Sequence, residues 1–214
     1  MWADKETPGS DRPILAITDP AGPFPQGRDF LDQVEAVAKA QPRALILRAK
    51  DRSEEAYGDL ARAVIARGIA QETTLFLHGS WRVAQALAWP ALHLPLPVLR
   101  TLPEGARASF QLLGASVHSP EEAQEAEALG ASYLLAGHVF ETSCKPGRPP
   151  RGLAFLAAVL QATSLPVYAL GGITPQLAPE VWALAPAGLA VRSALMMAPD
   201  PKTVLAALVG EAIS

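Results

Sequence analysis

The chain has 214 residues, half of them hydrophobic and 18% charged, with a formal net charge of −3. A chain of this size and composition can bury a sizeable core. The charge balance lacks the basic footprint of a nucleic-acid binder, and no apolar run approaches the ~20 residues of a membrane-spanning helix. Cys144 is the single cysteine, so no disulfide can close within the chain, which suits a reducing cytoplasm.

The chain opens on a polar stretch, MWADKETPGSD, without the apolar middle of a secretory signal. Residues 1–13 therefore read as a flexible leader and 14–214 as one domain. Strand-like apolar runs then fall at 14–18, 44–50, 74–78, 91–94, 112–118, 133–140, 167–171 and 188–195. Helical patterns occupy the gaps near 29–40, 54–67, 119–129, 152–163, 175–184 and 200–212. A third helix, around 81–88, must be short, and the proline-rich 95–106 reads as a loop. Ser119-Pro120-Glu121-Glu122 combines an N-cap serine, a proline at the first helical position and a capping-box glutamate. Thr174-Pro175 and Asp200-Pro201 repeat the cap-plus-proline pattern.

Strands alternating with helices imply parallel pairing with right-handed crossovers. Eight such strands in ~200 residues fit a single-domain (β/α)₈ TIM barrel, with an open doubly wound sheet as the competitor. Barrel active sites lie at the C-terminal ends of the strands, so polar residues there carry the functional signal. After the second strand, Arg48 and Lys50 share a face above Ile46. Two cations at a barrel mouth call for an anionic ligand, unless Asp51 or a neighbour neutralises them. Gly171-Gly172 after the seventh strand and Ser193-Ala194 after the eighth form the pattern of a phosphate site built from backbone N–H groups.

The four histidines, His78, His93, His118 and His138, fall in or just after four consecutive strands. Their spacing and the lack of nearby acids argue against a metal site. His93, between Leu92 and Leu94, reads as a satisfied core histidine. His138 reads instead as a proton-transfer group, with Thr142 and Lys145 in the following loop able to bind anionic groups. Cys144 shows no feature that would activate a thiolate.

Five landmarks together are distinctive: L-R-A-K-D (47–51), G-A-S-V-H-S (114–119), G-A-S-Y-L-L-A-G-H-V-F-E-T-S-C-K (130–145), P-V-Y-A-L-G-G-I (166–173) and G-L-A-V-R-S-A-L (188–195). Through them the chain resembles the thiamine phosphate synthase/TenI superfamily from about Ile14 onward. The resemblance implies a (β/α)₈ barrel that binds a thiazole phosphate, and it adds Ser116 to the expected substrate-binding residues. Synthases of this superfamily usually carry Asn-Asp after strand three and Asp after strand four for Mg²⁺ and a diphosphate. Here those places read Leu77-His78-Gly79-Ser80 and His93-Leu94-Pro95. The G-H-V-F-E-T-S-C-K segment looks like the thiazole tautomerase (TenI) signature. The resemblance thus implies a cofactor-independent isomerase that aromatises a carboxylated dihydrothiazole phosphate, with His138 as acid/base. Arg48, Lys50, Ser116, Thr142, Lys145, Gly171, Gly172, Arg192, Ser193 and Ala194 would bind the substrate. Arg192 departs from the small or apolar residue common there. A synthase and a silent thiazole-phosphate-binding protein are the alternatives, and a homodimer is compatible with the sequence.

Overall fold

Each strand is a short, mostly apolar run of four to six residues, and both faces of most strands are buried, as expected for parallel strands covered by helices. The computed structural model describes residues 12–50, 52–142 and 147–211, and the expected leader lies outside these except for Arg12 and Pro13. Strands β1 (Ile14–Ile17), β2 (Ala44–Leu47), β3 (Thr74–His78), β4 (Ala91–Pro95), β5 (Leu112–Val117), β6 (Tyr133–Gly137), β7 (Val167–Leu170) and β8 (Gly188–Val191) pair in sequence order. β8 returns to β1 with Leu15 opposite Ala190, so the sheet is a closed parallel barrel and the open-sheet alternative is excluded.

Alternate residues of each strand serve two cores. Leu15, Ile17, Ala44, Ile46, Phe76, Tyr133, Leu135 and Tyr168 fill the barrel interior. Their neighbours, including Ile14, Leu45, Leu47, Leu75, Leu134 and Leu189, pack against the surrounding helices. Those helices are α1 (Phe30–Lys39), α2 (Glu54–Ala66), α3 (Ile69–Glu72), α4 (Trp81–Ala86), α5 (Leu96–Arg100), α6 (Glu104–Arg107), α7 (Pro120–Ala128), α8 (Gly152–Ala162), α9 (Ala178–Trp182), α10 (Ser193–Met196) and α11 (Pro201–Val209). The N-terminal caps are explicit in the sequence. Asp29 and Asp32 form a capping box on α1, and Ser53, Ser119 and Asp200 cap α2, α7 and α11.

Several boundaries differ from the sequence reading. Residues 95–106 are not a loop: they hold α5 and α6, each preceded by a proline, a residue that suits a helix start as well as a loop. Thr174-Pro175 does not open α9. It forms a turn in which Leu177 and Ala178 donate to the Thr174 carbonyl, and the helix begins at Ala178. Strands two, six, seven and eight stop at Leu47, Gly137, Leu170 and Val191, so Arg48, His138, Gly171 and Ser193 lie beyond them. The expected strand tail at 192–195 is mostly the helical turn α10. Arg12 donates to the Val209 carbonyl at 2.9 Å, and Leu189 donates to the Pro13 carbonyl at 3.1 Å.

Candidate functional site

The C-terminal ends of the strands surround a cavity of about 750 Å³. Its floor is apolar, with Ile17, Ile46 and Leu135 rising from the barrel core, and polar groups gather on its walls. Arg48, Lys50, Ser116, His138, Thr142, Gly171, Gly172, Arg192, Ser193 and Ala194 all line it. Lys145 lies outside the described residues, as do Cys144 and Asp51.

Where β8, β1 and β2 adjoin, the sequence reading missed an acid. Asp19 Oδ2 stands 2.5 Å from Arg192 Nη1 and 3.9 Å from Arg48 Nη1. The signal was its place one residue beyond Thr18 at a strand end. Thr18 is fully buried. Its hydroxyl donates to the Arg48 carbonyl and accepts from the Arg48 N–H, both at 2.9 Å, which fixes the start of the β2 loop.

The histidines that carried no assigned role also line the cavity. His93 is fully buried and is the satisfied core histidine that its leucine neighbours suggested. Its Nδ1 lies 3.0 Å from the Tyr133 hydroxyl and its Nε2 2.8 Å from Ser116 Oγ. Gly114 stands between His93 and Tyr133 in the strand register, and a Cβ there would come within 2.3 Å of Tyr133 and 2.5 Å of the His93 ring. His78 stacks on His93 with ring centres 5.7 Å apart. Tyr57 holds it in place: its hydroxyl accepts from the His78 N–H at 2.6 Å and donates to the Leu47 carbonyl at 2.7 Å. Burial, and next the positive charge of Arg48, push the His78 imidazole down to about 4. Burial, and then His78, hold His93 well below the usual histidine range. This wall is therefore made of neutral imidazoles at physiological pH. His118 sits at the rim, where the Glu122 carboxylate accepts from its backbone N–H at 2.6 Å and meets its ring Nδ1 at 3.2 Å. The expected capping-box glutamate thus reaches one residue beyond the cap.

His138 follows β6 and is 5% exposed. The chain around it is pinned on both sides: Val139 donates to Leu170, Phe140 to Gly171, and Arg151 returns to donate to the His138 carbonyl at 3.0 Å. Its Nε2 lies 3.3 Å from the Arg148 carbonyl, whereas Nδ1 is buried without a hydrogen-bond partner. A carbonyl only accepts, so Nε2 carries a proton, and in the neutral imidazole the lone pair lies on Nδ1.

Mg²⁺ requires hard oxygen ligands, chiefly carboxylates. The ends of β3 and β4 offer His78 and His93, and Ser80 Oγ donates to Glu54 at 2.7 Å, a carboxylate outside the cavity lining. Among the described residues no three His, Cys, Asp or Glu side chains converge as a metal group. The residues present at this wall do not fit a magnesium–diphosphate site.

The sequence profile of the TMP-TENI family, described as thiamine monophosphate synthase, matches residues 14–195. The chain belongs to this family. Among its members, the thiamine-phosphate synthase of Syntrophomonas wolfei is 32% identical over 197 residues, 89% of this chain and 91% of the relative. That of Cronobacter sakazakii is 37% identical over 176 residues, covering 80% and 83%. The thiamine phosphate pyrophosphorylase structure from Pyrococcus furiosus superposes with a TM-score of 0.75 at 27% identity, over 93% of this chain and 94% of the other. At 17% identity and a TM-score of 0.62, 3-hexulose-6-phosphate synthase shares the fold alone, over 92% of this chain and 97% of that one. The TMP-TENI family therefore accounts for nearly all of the barrel.

Proposed function

We propose that this member of the family is a metal-independent thiazole tautomerase, aromatising a carboxylated dihydrothiazole phosphate. The observation that carries the reading is His138: a buried imidazole on the cavity wall with Nε2 turned to a carbonyl and Nδ1 unpartnered. The reaction moves one proton from ring C2 to an exocyclic carbon, with no net gain or loss of protons. The His138 imidazole takes the C2 proton, and the resulting imidazolium returns it at the exocyclic carbon. The backbone around Gly171-Gly172 and Ser193-Ala194 holds the phosphate, and the carboxylate meets one of the cations that follow β2 and β6 in the sequence, Arg48, Lys50 or Lys145. The apolar floor of the cavity restricts water and strengthens these charge interactions.

The names of the relatives favour a second reading, thiamine-phosphate synthase. The neutral imidazole wall beside β3 and β4 weighs against it, because among the described residues it presents no carboxylates to hold the magnesium that a diphosphate needs. One set of assays separates them. Aromatisation of the dihydrothiazole carboxylate phosphate is followed in EDTA with wild type and His138→Asn, and coupling of the pyrimidine diphosphate to thiazole phosphate is followed with Mg²⁺. The expected result is fast turnover in chelator and a loss of roughly 10²–10⁴-fold in the variant, the usual worth of general acid–base help. Coupling with Mg²⁺ and no aromatisation would establish the synthase reading instead. Tight binding of the aromatic product without either reaction would make the protein a silent binder.

A further inference from the structure

Closing the barrel makes β8, β1 and β2 neighbouring staves, so the residues just past their ends meet at one point of the rim. Arg192, Asp19 and Arg48 stand there as a cation–anion–cation row, each side chain between 20% and 24% exposed. A carboxylate can bridge two guanidiniums, but the contact lengths show that Asp19 serves only one of them. At 2.5 Å from Arg192 the pair is a short charge-assisted contact, whereas 3.9 Å to Arg48 is beyond hydrogen-bond reach. The backbone of Arg48 is nevertheless fixed through the two Thr18 hydrogen bonds, so its side chain is held at the cavity beside His78. A half-buried guanidinium whose one counter-ion among the described residues is distant is predisposed to take an incoming anion, because that anion restores the hydrogen bonds lost to burial. Arg192 already has its carboxylate, and a second anion there would have to displace Asp19.

We propose that Asp19 is a specificity-determining residue: it withdraws Arg192 from ligand binding and leaves Arg48 to recognise the carboxylate of the ligand. The inference rests on the thiazole carboxylate phosphate reading and divides the cations within it. The phosphate is then held by backbone N–H groups near Gly172 and Ser193, and the carboxylate lies across the cavity toward β2. Planar, bidentate geometry makes arginine the suitable partner for a carboxylate conjugated to a ring.

The test is calorimetric titration with two probes, thiazole carboxylate phosphate and the same thiazole phosphate lacking the carboxylate. Wild type, Arg48→Gln, Arg192→Gln and Asp19→Asn are compared, each checked for an unchanged near-UV circular dichroism spectrum. Wild type should prefer the carboxylated probe by about tenfold or more, the worth of a hydrogen bond to a charged group. Arg48→Gln should bring the preference close to one, and Arg192→Gln should leave it intact. Asp19→Asn, nearly isosteric, should tighten both probes and blunt the preference by releasing Arg192. Loss of the preference in Arg192→Gln with its retention in Arg48→Gln would overturn the assignment, as would an absence of preference in wild type. Failure of wild type to bind either probe would overturn the proposed function together with it.

Discussion

A Cβ on Gly171 would stand 2.3 Å from the Cβ of His138, and one on Gly172 would stand 2.3 Å from the Glu141 carbonyl oxygen. Both glycines also have positive φ, +103° and +68°, where a side chain adds strain. The GG pair is thus required by the β6 loop that packs on it, whatever ligand it also meets. Gly171→Ala must push His138 aside, and a displacement near 1 Å can cost on the order of 10²-fold in rate. Its kcat for aromatisation should fall by about that factor and its melting temperature should drop. A rise in KM alone, with kcat and melting temperature unchanged, would show that the glycine serves only the ligand. At this scale the sequence was informative where one residue type signals its chemistry at a strand end. The candidate residues that lie among the described ones all line the cavity. It was silent on Asp19, because pairing with Arg192 exists only once β8 has met β1.

The helices that cover the barrel owe their start points to short-range chemistry. Ser119 Oγ accepts from the Glu122 N–H at 3.1 Å, and Glu122 in turn holds His118 at the cavity rim. Ser119→Ala leaves an N-terminal donor without its partner, at a cost of about 1 kcal/mol. In a chain of this size that corresponds to a fall of about 2–4 °C in a thermal melt, and no fall at all would show that the cap is redundant. Such caps were legible beforehand because they depend on neighbours three residues apart. Strand ends were not: apolar alternation continues past Leu47 and Val191 although the ladder stops. Proline misled in both directions, hiding α5 and α6 and suggesting an early start for α9.

The whole barrel carries a pH liability from its two stacked imidazoles. His78 titrates near 4 in the folded chain and His93 is held well below the usual histidine range, against about 6.5 when unfolded. Above 6.5 both states are neutral and stability is at its full value. Between 6.5 and 4 the unfolded chain binds protons that the folded one refuses, so stability falls as pH falls, by up to about 1.4 kcal/mol per pH unit for each such histidine. Urea midpoints should therefore drop from pH 7 to pH 4.5, and less steeply in His78→Gln; equal slopes would show that His78 is not held neutral. The same interior has a consequence for how the sequence can drift. With Gly114 wedged between the His93 ring and Tyr133, positions 93, 114 and 133 behave as one epistatic unit. Alanine at 114 is open only to a lineage that has first shrunk one of the two rings. Once it is there, the rings cannot return without a reversal at 114, so this trio ratchets the barrel interior.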